Sequence, residues 1–215
     1  MTTINPDPED LTARARIRDA AMRHFGEHGF DRSTIRGIAE TAGVSSGLVR
    51  HHFGSKQALR EACDEYLVRV LRGINERARS DATAGDVNYV ALGRTTLGPY
   101  QPYLARALAE GGAGQLFDGL VDMGALWLAE ADKSRPDPPD VDARTRAAVV
   151  TAMALSVTVL HQHLSRAMGV DLSSPEGDQL LARTLIDLHS HPLLSLEDAA
   201  TLRAGLDRIR TQPAG

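Results

Sequence analysis

A chain of 215 residues with 42% hydrophobic and 24% charged residues has the make-up of a globular protein and is long enough for one large or two modest domains. Its single cysteine, Cys63, rules out an intrachain disulfide and fits a reducing cytoplasm, and no apolar run approaches the roughly 18 residues that a membrane span needs. The net charge of −4 speaks against a nucleic-acid binder only until its distribution is seen: Leu11 to Arg60 carries nine Lys and Arg against four acids, a local +5 on an acidic body.

Met1 to Asp10 holds Pro6, Pro8 and three acids, and reads as a disordered tail. It has neither the basic and apolar stretches of a secretory signal nor the Lys or Arg of an arm that enters a minor groove. The first helix is expected over Thr12–His28, with Ala13, Ile17, Ala20, Ala21 and Phe25 on one stripe. Gly29 ends it, and Phe30 is expected to fold back into a small core with Phe25, Ile38 and Phe53.

Ile35 to Lys56 (IRGIAETAGVSSGLVRHHFGSK) is the most informative stretch. Thr34 is a good N-cap for a short helix with Ile35, Ile38, Ala39 and Ala42 at helical spacing. Gly43 stops that helix, because the residue past a helix end often takes the left-handed conformation that glycine adopts cheaply. Val44 supplies an apolar plug for the turn. Ser45 caps a second short helix whose apolar side is Leu48, Val49 and Phe53, and whose polar side carries Ser46, Gly47, Arg50, His51 and His52. Gly54 ends it and Ser55 caps again. Helix, glycine turn and short polar helix is the helix-turn-helix plan, whose second helix fits a major groove roughly 12 Å wide. An ordinary helical hairpin with a solvated face has the same outline.

The combination Thr34…Ile38-Ala39…Ala42-Gly43-Val44-Ser45…Gly47…His52-Phe53…Ser55-Lys56…Leu59 lies within about Ala13 to Tyr66. It resembles the DNA-binding signature of the tetracycline-repressor (TetR) family of transcriptional regulators. The resemblance implies that Ser46 and Gly47 lie closest to the bases, beside Ser45, and that Arg36 reaches a base edge. It further implies that Thr34, Arg50 and Lys56 hold phosphates, that His52 is a DNA contact, and that His51 reaches the backbone. One position departs from the family, which has a tyrosine on a DNA phosphate where this chain has Arg50. Arginine is itself a phosphate ligand and also forks onto guanine, so both partners stay open to it.

A long helix is expected over about 55–79, with Ala58, Leu59, Ala62, Tyr66, Val70 and Ile74 in register. Cys63 falls within that apolar run and reads as a core thiol. The helix closes a DNA-binding domain over 11–71 and runs on into a regulatory domain over 86–211, so it is the natural conduit between them. Asp81–Asp86 is a short break. Further helices are expected near 87–97, 100–110 and 114–132, followed by a proline-rich, disordered loop over Ser134–Val141. A long helix near 142–168 is apolar nearly all round in its middle, so it must be covered on several sides. Helices near 176–190 and from Ser195 to Arg210 follow, the last opened by a capping box of Ser195 and Asp198. No strand signal and no internal repeat occurs, and the fold class is all-α.

No Gly-x-Ser-x-Gly, phosphate loop or dinucleotide fingerprint is present, so the chain is not expected to be an enzyme, and no cofactor is assigned. His161 and His163, like His189 and His191, are two residues apart, which on a helix turns the rings about 200° from each other. Neither pair can chelate one ion while helical, and packing histidines are the plainer reading. Five aromatics fall between Tyr89 and Trp127. Tyr103, Met123, Trp127 and Thr158 are candidate walls of a ligand pocket, with ordinary core as the alternative. The resemblance implies a cytoplasmic homodimer, joined through the helices near 142–168 and 176–190, that binds a palindromic operator in double-stranded DNA and responds to a small-molecule effector. The rival reading is a helical ligand carrier or scaffold that never meets DNA.

Overall fold

The computed structural model describes residues 8–80, 97–191 and 193–211. Ten α-helices make up the described residues, with two short 3-10 turns and no strand. The first four are α1 (Pro8–His28), α2 (Ile35–Ala42), α3 (Ser46–Phe53) and α4 (Lys56–Ser80). They are followed by α5 (Gln101–Ala109), α6 (Gly114–Ala131), α7 (Ala143–Val159) and α8 (His161–Met168). The last two are α9 (Pro175–Ser190) and α10 (Leu196–Thr211). The all-α expectation holds. α1 begins four residues before Thr12, with Pro8 at its first position, where a missing N–H costs nothing. The helix expected near 87–97 falls almost wholly outside the described residues, as do the 81–86 break and most of the N-terminal tail.

One apolar core runs through the first six helices. Ile17, Ala20, Ala21 and Phe25 of α1 meet Ile38 and Ala39 of α2, Val49 and Phe53 of α3, and Leu59, Cys63 and Leu67 of α4. The same cluster continues through Tyr103 and Leu104 of α5 to Leu116 and Leu120 of α6. A three-helix unit of about fifty residues has too little interior to stand well alone, and here it shares its interior with the body. Burial pushes the Cys63 thiol well above the ordinary cysteine range, with the Asp64 charge adding to the effect, so this is an inert core residue.

Two expectations for the body need correction. The helix expected near 142–168 is broken at Leu160 into α7 and α8, which meet at a bend of 74°. Val157, Thr158 and Val159 are consecutive β-branched residues with reduced helix propensity. Immediately beyond them, the His161 ring Nδ1 lies 3.2 Å from the Thr158 carbonyl oxygen, so a side chain competes there for a helical acceptor. The proline-rich segment expected to be disordered has partners near both ends: Arg146 Nε donates to the Val141 carbonyl at 2.8 Å, and Arg135 donates to Asp137 at 3.0 Å. No single helix among the described residues is long and apolar enough to cross a membrane.

Of the capping box expected at the start of the last helix, the Ser195 arm forms, while the Asp198 carboxylate takes the Ser195 hydroxyl in place of the Ser195 N–H. The Asp198 N–H donates to Ser195 Oγ at 3.0 Å, and that hydroxyl donates to Asp198 Oδ2 at 2.7 Å.

Candidate nucleic-acid interface

α2 and α3 owe their placement to caps at both ends. Thr34 Oγ1 accepts from the Gly37 N–H at 3.0 Å, and Ser45 Oγ accepts from Leu48 N–H at 3.1 Å. Each satisfies one orphan donor of a helix start, an arrangement worth about 1 kcal/mol apiece. Between the helices Gly43 takes φ 66°, and the Gly43 and Val44 N–H groups close back on the carbonyls of Glu40 and Ala39. Only a residue without a Cβ enters that left-handed turn cheaply.

With Val49 fully buried and Phe53 nearly so, the opposite side of α3 is forced outward. Gly47, Arg50 and His51 are exposed and Ser46 is half-buried. An ideal Cβ built on Gly47 would meet only Ser45 Oγ, at 3.7 Å, so the backbone there lies open to close approach. Thr34 and Arg36 stand exposed on the neighbouring α2, with Arg36 donating to Glu40 at 2.9 Å one turn on. Thr34, Arg36, Ser45, Gly47, Arg50 and His51 are thus all exposed to solvent.

His52 and Lys56 sit differently. The His52 ring is half-buried and its Nε2 is buried without a hydrogen-bond partner among the described residues. Its carbonyl accepts from Arg14 at 3.3 Å, and the Arg14 guanidinium lies 4.8 Å from the centre of the Phe53 ring. A cation at the last carbonyls of α3 complements the helix dipole and pins the helix to α1. Lys56 turns inward: its Nζ donates to the carbonyls of Phe30 (2.8 Å), Asp31 (3.3 Å) and Ser33 (3.1 Å) and sits 4.4 Å from the centre of the Phe30 ring. The ammonium therefore organises the α1–α2 turn. Lys56→Ala leaves those carbonyls without a charged donor and is expected to cost about 1.5–3 kcal/mol of stability. A thermal melt reads this directly; an unchanged melting temperature with a weaker salt dependence of DNA binding would return Lys56 to a purely phosphate-holding role.

Three side chains that sequence reasoning passed over complete the scaffold. His24 Nε2 meets Thr41 Oγ1 at 2.7 Å across the α1–α2 contact, and burial, reinforced by His28, depresses its pKa. Arg14 holds α3, as described, and Arg106 Nε of α5 donates to the Gly26 carbonyl of α1 at 2.8 Å. None lies in a motif; all three are long-range partners whose pairing only the fold reveals.

The four proposed pocket walls differ in their surroundings among the described residues. Tyr103 is buried and donates its hydroxyl to Asp64. It borders a hollow of about 10 Å³ with Phe25, Phe30, Arg60 and Arg106, and neither Met123, Trp127 nor Thr158 borders it. That is room for at most one water. Met123 packs half-buried against the core, Trp127 is 43% exposed, and Thr158 is half-buried beside the break in α7. The four histidines of the body make local contacts or stand exposed: besides the His161 contact, His189 Nδ1 meets the Leu185 carbonyl at 2.6 Å and His191 Nδ1 meets Ser190 Oγ at 2.9 Å.

Comparison with known proteins agrees with this geometry. Residues 17–63, which run from the second half of α1 into the first third of α4, match the bacterial regulatory proteins of the tetR family. The chain is 39% identical over 142 residues to the HTH-type transcriptional regulatory protein RaaS of Mycobacterium tuberculosis, covering 64% of this chain and 66% of that one. It is 36% identical over 70 residues to the HTH-type transcriptional regulator BetI of Burkholderia mallei, covering 33% of this chain and 36% of that one. The matched region thus spans just under two thirds of RaaS and about a third of BetI. Among solved structures, a putative TetR-family transcriptional regulator from Rhodococcus sp. shares the fold with a TM-score of 0.59 at 20% identity, over 83% of this chain and 98% of that one. The Thermus thermophilus repressor FadR, solved with lauroyl-CoA, shares it with a TM-score of 0.52 at 18% identity, over 94% of this chain and 100% of that one. With the caps, glycine turn and outward polar face of α3 in place, residues 17–63 carry the helix-turn-helix region of the bacterial regulatory proteins of the tetR family.

Proposed function

We propose that this protein is a ligand-responsive, DNA-binding repressor that acts as a homodimer on a palindromic operator and is released by a small-molecule effector. The observation that carries the DNA-binding part is the outward face of α2 and α3, where polar and basic side chains surround an open glycine on a helix fixed from behind. Two such faces related by two-fold symmetry would enter successive major grooves about one helical turn apart. In this reading Ser46 and Gly47 approach bases, Arg36 reaches a base edge, and Thr34, Ser45, Arg50 and His51 face the backbone. His52 and Lys56, assigned to DNA by resemblance alone, act first by positioning α3 and the α1–α2 turn.

The proposed division is a DNA-binding domain over 11–71 and a regulatory and dimerising domain over 86–211, joined by α4. Support for dimerisation comes from the apolar surface that the single chain leaves uncovered: Val149, Val150 and Met153 on α7 are 58%, 50% and 67% exposed, and Ile186 and Leu188 on α9 are 66% and 60% exposed. An exposed apolar face of this kind marks an interaction surface. The effector's class is suggested only by relatives such as the lauroyl-CoA-bound FadR of Thermus thermophilus, which point to an apolar acyl chain on a polar, charged carrier. Any effector acts by binding one conformer better than another, and α4 is the element through which that preference reaches α3.

The reading is tested by mobility shift with duplex DNA from beside the protein's own gene. Specific retardation supports it; absence of binding at every salt concentration, with and without candidate acyl-CoA effectors, sinks it. Arg50 gives a sharper measurement within the same assay. As a phosphate ligand, Arg50→Ala weakens binding to all sequences alike and lowers the log–log salt slope by about 0.9, while Arg50→Lys keeps most of the affinity. Loss of discrimination at one base pair, with the salt slope intact, would place Arg50 on a guanine instead.

A further inference from the structure

The last helix presents an apolar seam that its own chain leaves open. No residue of α10 with a described side chain is buried, and Leu202, Leu206 and Ile209 are 55%, 68% and 70% exposed. Together with Ala199 they are spaced three, four and three residues apart, which is the a–d–a–d rhythm of two heptads. A surface helix that packed on its own body would show a broader stripe and would bury part of it.

We infer that α10 pairs with α10 of a second copy of this chain as a short, parallel, in-register coiled coil along the dimer's two-fold axis. The charges that flank the seam select that arrangement. With Ala199 and Leu206 at a and Leu202 and Ile209 at d, Asp198 falls at g and Arg203 at e. In a parallel pair each g residue meets the e residue five positions further along the other helix, so Asp198 meets Arg203 of the partner subunit, twice by symmetry. An antiparallel pair sets the e rows against each other and brings Arg203 towards its own counterpart, a like-charge contact. Packing on the chain's own α9 would leave the Asp198–Arg203 complementarity unused. Parallel in-register pairing is also what a two-fold axis running along the helices imposes on identical chains.

Two heptads form too short a helix pair to associate on their own. The seam therefore rests on the dimer proposed above, and acts as a clasp that continues it beyond α7 and α9. The clasp fixes the C-terminal ends of the two subunits to one another.

Cysteine placement tests this, because a parallel in-register pair puts identical residues face to face. Ala199→Cys and Ile209→Cys, at the two ends of the seam, are each expected to form an intersubunit disulfide on air oxidation of the full-length protein. Ala204→Cys, at the outward f position, is expected to form little. Cys63 is buried and stays out of the reaction. Products are read on a non-reducing gel, and the unoxidised variants are sized by light scattering. A dimer that cross-links at neither 199 nor 209, or that cross-links equally at 204, overturns the α10 pairing while leaving the dimer intact. A monomer by light scattering overturns the dimer reading and the clasp with it.

Discussion

Gly26→Ala should melt well below the parent protein, although it adds a single methyl group. A Cβ at Gly26 would lie 2.7 Å from the Tyr103 backbone nitrogen, 3.0 Å from the Pro102 carbonyl carbon and 3.1 Å from Pro102 Cβ. Two of those three atoms are main chain and cannot rotate aside, so α1 and α5 must separate. The separation also stretches the 2.8 Å bond from Arg106 Nε to the Gly26 carbonyl, which clasps the same contact. Overpacking of this kind costs about 1–3 kcal/mol. For a chain of this size each kcal/mol is worth roughly 2–4 °C in melting temperature, and Gly26→Val should fall further. Gly73→Ala is the informative control, because a Cβ there meets nothing within 4 Å and α4 continues through it. The same substitution at Gly73 should stabilise by about 0.8–1 kcal/mol from helix propensity alone. Equal melting temperatures for the two variants would mean that α1 and α5 are not in the contact described.

The contrast between these glycines shows where the sequence is readable and where it is not. Local signals were strong enough to place α2 and α3 almost to the residue: Thr34 and Ser45 are caps, Gly43 is the left-handed stop, and Val49 and Phe53 face inward. Those signals act over three or four residues, which is the range that propensity and capping cover. Gly26 carries no such mark. It lies in the last turn of α1, where glycine is merely a weak helix former, and its need for a bare Cα comes from Pro102 and Tyr103, more than seventy positions away. The break at Leu160 was missed for a related reason. The apolar pattern continues across it, and what ends the helix is a β-branched run together with a side chain that competes for the Thr158 carbonyl.

Two of the residues assigned to the interface have protein surroundings that their position in the sequence does not reveal. The family resemblance assigns Lys56 and His52 to DNA. Which direction a side chain takes depends on the partners that the fold supplies. Lys56 finds three carbonyls of the α1–α2 turn within reach, a set of acceptors already in place before any phosphate arrives. The His52 ring is drawn towards Phe53 and away from full solvent, while its neighbour His51 stays exposed. The pocket candidates illustrate the same limit: clustering of aromatics in sequence identified a region, and Tyr103 turned out to be spent on a buried carboxylate.

That carboxylate gives the second large effect. Asp64 is buried on α4, where Tyr103 of α5 donates its hydroxyl to it and Arg60 and Glu61 are the charges that act on it. Burial raises its pKa above the ordinary carboxylate value of 3.8; the Tyr103 bond and Arg60 pull it back in part, and Glu61 adds to the rise. An acid whose folded pKa lies above its unfolded one contributes stability below pH 3.8, and that contribution is lost as pH rises through the folded pKa. At neutral pH the ionised form is therefore a burden on the α4–α5 junction. Asp64→Asn keeps an acceptor for the Tyr103 hydroxyl and removes the buried charge. It should melt at or above the parent temperature at pH 7, and its stability should vary less with pH above about 4. Tyr103→Phe does the reverse: it strips the donor from a buried carboxylate, at a cost of about 1–3 kcal/mol, and pushes the Asp64 pKa higher still. Tyr103→Phe should cost less in the Asp64→Asn background than in the parent protein, because the charge that the missing hydroxyl would have stabilised is gone. Strict additivity of the two melting shifts would show that the hydroxyl and the carboxylate act independently, and would remove this pair as a polar tie between α4 and α5.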